Sequence, residues 1–116
     1  MHTREKGGAG EEYAVEYLLT KGYSIVARNA GCKKGEIDIV AEAPDKTLVF
    51  VEVKSASSYG AGHPLAWVTP QKQKRLAIAA RLYLAEHKKI STPCRFDVIS
   101  ILPTGTIDHL KNAFLT

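Results

Sequence analysis

Three charged side chains, Asp38, Glu52 and Lys54, stand in or at the end of two otherwise largely apolar segments. The first segment, Gly35-Glu36-Ile37-Asp38-Ile39-Val40-Ala41-Glu42, alternates in the manner of a strand, with Ile37, Ile39 and Ala41 on one face and Glu36, Asp38 and Val40 on the other. The second, Leu48-Val49-Phe50-Val51-Glu52-Val53-Lys54, opens with four apolar residues, the mark of a central strand covered on both sides. It then turns polar at Glu52 and Lys54, which are two residues apart and so share a face. Between the segments, Ala43-Pro44-Asp45-Lys46-Thr47 suits a tight turn. A loop of Pro44, Asp45 and Lys46 pairs Ala43 with Thr47, Val40 with Phe50 and Asp38 with Glu52. Side chains so opposed have Cβ atoms about 4.5 to 5.5 Å apart, and like charges there destabilise a sheet. Two carboxylates in that position call for a cation.

Lys54 supplies part of the compensation. Paired carboxylates are also what a hard divalent ion such as Mg²⁺ or Mn²⁺ uses, together with water and substrate phosphate. An ion so held lowers the pKa of bound water and clamps a phosphodiester oxygen, while a neighbouring ammonium stabilises charge developing on the phosphate. These are the parts of a phosphodiesterase. The plainer alternative is a structural ion pair at a strand end, Glu36 with Lys54 or Asp38 with Lys54.

One acidic residue followed by a strand bearing Glu-x-Lys resembles the active-site signature of the PD-(D/E)XK nuclease superfamily. The strings Gly35-Glu36-Ile37-Asp38-Ile39-Val40 and Leu48-Val49-Phe50-Val51-Glu52-Val53-Lys54 are followed by Arg95-Phe96-Asp97-Val98-Ile99 and by Asn112-Ala113-Phe114. Together they are similar, over nearly the whole chain, to the bacterial YraN family, small proteins related to archaeal Holliday-junction resolvases. The resemblance implies an α/β, restriction-endonuclease-like core, a central mixed sheet flanked by helices on both sides, and a metal-dependent site at Asp38, Glu52 and Lys54. It also implies a first helix bearing Gly-Glu, here Gly10-Glu11, whose glutamate joins Asp38 and Glu52 as a metal ligand. Glu12 is the lesser candidate, because adjacent helical residues point about 100° apart. Two departures stand out: Ile37-Asp38 replaces Pro-Asp, a substitution common in this family, and Ala56 stands where many relatives carry an arginine that contacts phosphate.

The elements that must position these residues can be read in turn. Apolar spacing at Ala14, Tyr17, Leu18 and Leu19 predicts a helix from Glu11 to Lys21 stopped by Gly22, preceded by a flexible segment 1–10. A strand follows over Tyr23 to Arg28, then a basic loop over Asn29 to Lys34. The Ser- and Gly-rich stretch from Ser55 to Trp67 reads as a substrate-side flap or a plain crossover. Thr69-Pro70 fits an N-cap and a first helical proline, opening a helix to about His87 with an apolar stripe of Leu76, Ala79, Ala80, Tyr83 and Leu84. Its opening turn, Gln71-Lys72-Gln73-Lys74-Arg75, can grip a phosphate backbone through side chains and helix N-terminus; Lys72 and Arg75 match positions usually basic in the family, and Gln71 and Gln73 are further candidates. The competing reading is a solvated helix face. Strands over Arg95 to Ile101 and Thr106 to Leu110 complete an αβββαββ order, whose helix between the third and fourth strands implies a crossover and a mixed sheet. Asp97 is expected to pair with a base, Arg95 or Arg81, and His63, His87 and His109 need no catalytic role.

With 116 residues, 45% of them hydrophobic, the chain suits one domain over residues 11–116. A net charge of +4 favours an anionic partner. Two cysteines without an apolar leader point to reduced thiols in a cytoplasmic protein, and no apolar run is long enough to span a bilayer. The expected function is therefore a metal-dependent endonuclease hydrolysing phosphodiester bonds of nucleic acid, DNA in the first instance and branched DNA by the resemblance. A non-catalytic nucleic-acid-binding module of the same fold is the alternative, and a homodimer is left open by the sequence.

Overall fold

The two motif segments become neighbouring strands in a five-stranded sheet. The computed structural model describes residues 4–32, 35–55, 68–89, 91–102 and 104–114. Helix α1 (Arg4–Thr20) is followed by β1 (Ser24–Cys32), β2 (Gly35–Glu42), β3 (Leu48–Ser55), helix α2 (Pro70–Glu86), β4 (Cys94–Ile101) and β5 (Ile107–Leu110). The spatial order is β1-β2-β3-β4-β5, antiparallel except for the parallel pair β3 and β4. The order and the mixed sheet are those expected. The flap candidate and His63 fall within 56–67, outside the described residues.

Each helix covers one face. On one, Leu76, Ala79, Ala80, Tyr83 and Leu84 of α2 pack on Ile37, Val40, Leu48, Phe50, Phe96 and Val98. On the other, Ala14 and Leu18 of α1 pack on Ile39, Ala41, Val49, Val51, Ile99 and Ile101. Burying both faces explains why Leu48 to Val51 is apolar throughout. The β2–β3 loop is the one anticipated: Lys46 N–H donates to Ala43 O at 2.8 Å, Ala43 N–H to Thr47 O at 2.9 Å, and Lys46 takes φ 78°. That is a type I turn closed by a left-handed residue.

Several boundaries differ from the reading of the sequence. Helix α1 begins at Arg4, so residues 4–10 are helical and not a free tail; the glycines that lower helix propensity there hid its start. Its end is as expected, with Gly22 at φ 89°, Gly22 N–H donating to Leu19 O and Tyr23 N–H to Leu18 O. Strand β1 runs on to Cys32, because Ala30, Gly31 and Cys32 pair with Ile37, Glu36 and Gly35. Ile37 also leaves the face of Ile39 and Ala41 and joins the α2 cluster. The break in alternation falls at Asp38, opposite Asn29 of β1, which lies between the Arg28–Ile39 and Ala30–Ile37 pairs and has φ 53°.

Asp97 is 1% exposed and anchors the middle of β4, in register with Val51. Arg95 Nε donates to its Oδ1 at 3.0 Å, Asn112 N–H to the same oxygen at 2.9 Å, and His109 Nε2 lies 2.7 Å from Oδ2. Burial opposes the charged form, yet these partners hold the carboxyl below its usual range. Arg95 is thus the predicted base, and His109, for which no catalytic role was expected, bridges Asp97 to Tyr17 Oη at 3.0 Å. The Asn112-Ala113-Phe114 string has a structural reason: Asn112 turns at φ 52°, Ala113 N–H donates to Phe96 O, and Phe114 stacks on Phe96 with ring centroids 4.9 Å apart.

Gly35 sets the distance between β2 and α2. A Cβ there would lie 2.7 Å from Arg75 O and 3.0 Å from Arg75 C, both backbone atoms. Gly35→Ala should therefore cost about 1–3 kcal/mol in urea unfolding, since the helix must shift to admit a methyl group. A loss below about 0.5 kcal/mol, the scale of an ordinary surface change, would show that the approach is looser than this geometry. Asp97→Ala strands Arg95 and the Asn112 N–H and should cost about 3–5 kcal/mol by the same measurement, whereas a surface-like loss would contradict a buried anchor.

Candidate active site

The antiparallel pairing of β2 and β3 stops at Ile39–Val51, one pair short of the expected Asp38–Glu52 pair. Past that point the Asp38 carboxylate replaces the ladder: its Oδ2 accepts from Val53 N–H at 2.8 Å. Asp38 is therefore placed at the opening of the hairpin, not squarely across from Glu52. The two carboxyls still meet: both line one cleft, and the charge of Glu52 acts on Asp38. Glu52 and Lys54 continue the face of Leu48 and Phe50, the side covered by α2, as the period of two requires.

Asp38, Glu52, Gly35, Glu36, Lys72, Arg75 and Leu76 line a cleft of about 220 Å³ between the hairpin and the first turns of α2. The helix starts there because Thr69 caps it, its Oγ1 accepting from Lys72 N–H at 3.2 Å, with Pro70 in the first turn. Glu52 is 5% exposed. Its Oε2 lies 2.5 Å from Lys72 Nζ and 4.0 Å from Lys54 Nζ. The expected cation beside the carboxylates is thus chiefly Lys72, a residue the sequence suggested for phosphate contact, with Lys54 further away. Gln73 is likewise turned to the fold, its Nε2 donating to Val68 O at 3.0 Å. Gln71, Lys74 and Arg75 are exposed.

Glu11 approaches from α1, aided by Gly10, where a Cβ would lie 2.4 Å from Ser55 Oγ on β3. Its charge reaches Asp38. Its carboxylate, however, is 3.5 Å from Arg28 Nη2, and Glu12 makes the shorter contact to Arg28 at 2.9 Å. Among the described residues no three His, Cys, Asp or Glu side chains form a set able to hold a metal ion. The chain brings Asp38 and Glu52 together and leaves Glu11 on its own basic partner. Sequence reasoning missed Gly35, whose lack of a side chain seats α2 over the cleft, and Ser100, paired in register with Lys54 and fully buried without a hydrogen-bond partner. A lone serine in the apolar string Val98-Ile99-Ser100-Ile101 was the available signal.

The electrostatics follow from crowding in a dry cleft. Desolvation first, and the Glu52 charge second, push Asp38 from 3.8 up to about 7, against the Val53 hydrogen bond. Burial and the neighbouring Lys72 ammonium lower Lys54, while Lys72, which burial alone would lower, is held above its ordinary value by Glu52. Between pH 3.8 and about 7 the folded protein binds more protons at Asp38 than the unfolded chain does. The stability this group contributes is thus complete at low pH and is lost as pH rises through about 7. Urea unfolding from about pH 5 to about pH 8 should show a fall on the order of 2 kcal/mol that Asp38→Asn abolishes, the variant matching or exceeding the parent at the upper pH by up to about 1 kcal/mol. A variant several kcal/mol less stable than the parent at about pH 8 would instead make Asp38 one half of a structural ion pair.

The family model described as "Uncharacterised protein family UPF0102" matches residues 10–101. A UPF0102 protein of Cupriavidus necator is 47% identical over 98% of this chain and 86% of its own length. One of Clostridioides difficile is 44% identical over 98% of this chain and 100% of its own, and one of Chlorobium phaeobacteroides is 44% identical over 95% and 94%. Among solved structures, the chain is similar to Pyrococcus furiosus SfsA in complex with Ca²⁺, with 18% identity, a TM-score of 0.34, and coverage of 94% of this chain and 63% of that one. No helix of the described residues is long and apolar enough to cross a membrane. The extent and identity of these matches settle the kinship that the Asp38, Glu52 and Lys54 motifs suggested: the chain belongs to UPF0102, the YraN family.

Proposed function

We propose that the protein is a metal-dependent nuclease that hydrolyses phosphodiester bonds in nucleic acid, DNA foremost and branched DNA as the substrate to try first. The observation that carries this reading is the placement of Asp38 and the buried Glu52 together in a cleft also lined by Lys72 and Arg75. Two crowded carboxyls beside cations, with Asp38 raised toward neutrality in its pKa, are costly to a fold and characteristic of a site made for chemistry.

The donor set suits Mg²⁺ or Mn²⁺. Carboxylate oxygens are hard ligands, and such ions are commonly held by one or two carboxylates with water and substrate phosphate completing the shell. The Lys72 ammonium, seated on Glu52, marks a place where the fold already accommodates positive charge. Asp38 and Glu52 would hold the ion, and Glu11 would join them on leaving Arg28. When bound, the ion supplies an acidified water and charge neutralisation at the phosphate. The chain's own residues do the rest. Val53 N–H fixes the Asp38 carboxylate in one orientation. Lys54, whose ammonium lies beside Glu52, stabilises charge developing on the phosphate oxygens. Arg75, at the cleft, and Lys74, on the exposed side of the same turn, hold the backbone on either side of the reacting bond.

A second reading, a binding module that keeps the fold without hydrolysis, is favoured by the same Lys72–Glu52 contact, which neutralises the carboxylate with no ion at all. Incubation of the protein with linear, flapped and four-way-junction DNA in Mg²⁺, Mn²⁺ or EDTA separates the two. The nuclease cleaves at least one substrate with metal, not with EDTA, and loses activity by about two orders of magnitude or more in Asp38→Asn or Lys54→Ala. Binding in EDTA that Asp38→Asn does not alter, without cleavage of any substrate in either metal, identifies the module. In either case Lys74→Ala and Arg75→Ala should each weaken binding to all sequences alike and reduce the salt slope by roughly one unit or less, whereas an unchanged slope in both would move the binding surface elsewhere.

A further inference from the structure

Lys72 is the basic residue of the opening turn of α2 that the structure turns inward, while Lys74 and Arg75 remain exposed. Its Nζ is 2.5 Å from Glu52 Oε2, and Lys54 Nζ is 4.0 Å from the same oxygen. Two ammonium groups around one carboxylate repel each other. They are tolerated because Asp38 brings a second acidic group into the same cleft. A divalent cation bound to Asp38 and Glu52 would supply the same neutralisation in less space, and both ammoniums cannot remain once that charge is present.

Which lysine leaves is decided by their tethers. Lys54 belongs to β3, two residues from Glu52, in a backbone fixed by its pairing with Ser100 of β4. Lys72 reaches the cleft from the first turn of α2; the two share the same four-carbon stem and nearly the same side-chain exposure, 35% against 33%, so the difference lies in where their backbones stand, Lys72 at the mouth beside Arg75 and Lys54 on the strand of Glu52. Rotation of the Lys72 stem carries the ammonium from Glu52 to the rim, next to Arg75 and the N-terminus of α2. That position suits a phosphate oxygen.

We propose that Lys72 is an internal counter-ion, which holds the Asp38–Glu52 pair in the metal-free protein and is released by the metal to grip a nucleic-acid phosphate at the mouth of the cleft. The inference rests on the metal-dependent reading above and adds its regulation. Metal and nucleic acid then bind cooperatively, each favouring the state in which Lys72 has left Glu52, and the coupling must be reciprocal. A nuclease built this way keeps its phosphate grip weak until its ion is in place.

Calorimetric titration of Mn²⁺ into the parent, Lys72→Gln and, as a charge control on the exposed hairpin loop, Lys46→Gln tests the first half. Lys72→Gln should bind Mn²⁺ about tenfold more tightly, because no ammonium competes, and Lys46→Gln should match the parent. Fluorescence anisotropy with a labelled phosphorothioate duplex tests the second. Mn²⁺ should tighten duplex binding by the parent about tenfold relative to EDTA, and this gain should shrink to about twofold or less in Lys72→Gln. Lys72→Met, which keeps an apolar stem of similar length, replaces Lys72→Gln if thermal melts show that the latter does not fold. Equal Mn²⁺ affinity in the parent and the Lys72 variants, or weaker affinity in the variants, overturns the counter-ion role and leaves the metal site standing. Absence of Mn²⁺ binding in every protein overturns the inference together with the metal-dependent reading.

Discussion

Two acidic side chains crowded into one partly buried cleft form the constraint on which the rest of the molecule depends. Asp38 and Glu52 can be held this close only because the fold surrounds them with compensation of three kinds. A backbone amide from Val53 orients one carboxyl, an ammonium from α2 neutralises the other, and a second ammonium waits on the same strand. Each source comes from a different kind of structural commitment. The amide is available because β2 and β3 part after Ile39 and Val51, the first ammonium because Thr69 and Pro70 start a helix at that spot, and the second because strands repeat every two residues.

Close packing makes the compensation possible. Gly35 lets the backbone of α2 come down on β2, and Gly10 does the same for α1 against the end of β3. Larger residues at either position would widen the gap between helix and strand, and the reach of Lys72 or Glu11 toward the carboxylates would lengthen with it. On β4, in register with Val51, Asp97 shows how the same fold treats an acid meant for structure. It is more deeply buried than Asp38, yet arginine, histidine and a backbone amide satisfy it, and its carboxyl is held down instead of up. The two aspartates differ by partners far more than by depth.

Much of this was legible in the chain. The four apolar residues of β3, the Pro44-Asp45 turn, the Thr69-Pro70 helix start and Gly22 at the helix end each state a local rule with one solution, and the structure follows them. What escaped notice depended on interactions between distant parts. The alternation of Ile37 failed where β2 passes the left-handed Asn29 of the neighbouring strand. The pairing of Asp38 with Glu52 stopped one step early because a side chain took over from the ladder. His109 looked idle because its partners, Asp97 and Tyr17, come from β4 and α1. Lys72 looked like a phosphate ligand because nothing in a basic helical turn says which of its residues will point inward.

The placement of β3 beside β4 bears on how the chain is made. Asp38 and Glu52 belong to one hairpin with a short loop, so they meet as soon as that hairpin forms, a local event on the microsecond scale. The neighbour of β3 on its other side arrives only after the whole of α2 has been threaded across the sheet. During synthesis from the ribosome the acidic residues can thus meet before Lys72 emerges in its helix to neutralise them. The nascent hairpin offsets its repulsion only in part, through Lys54 on the same strand, and cations of the surrounding medium are what can add to that relief until the helix emerges.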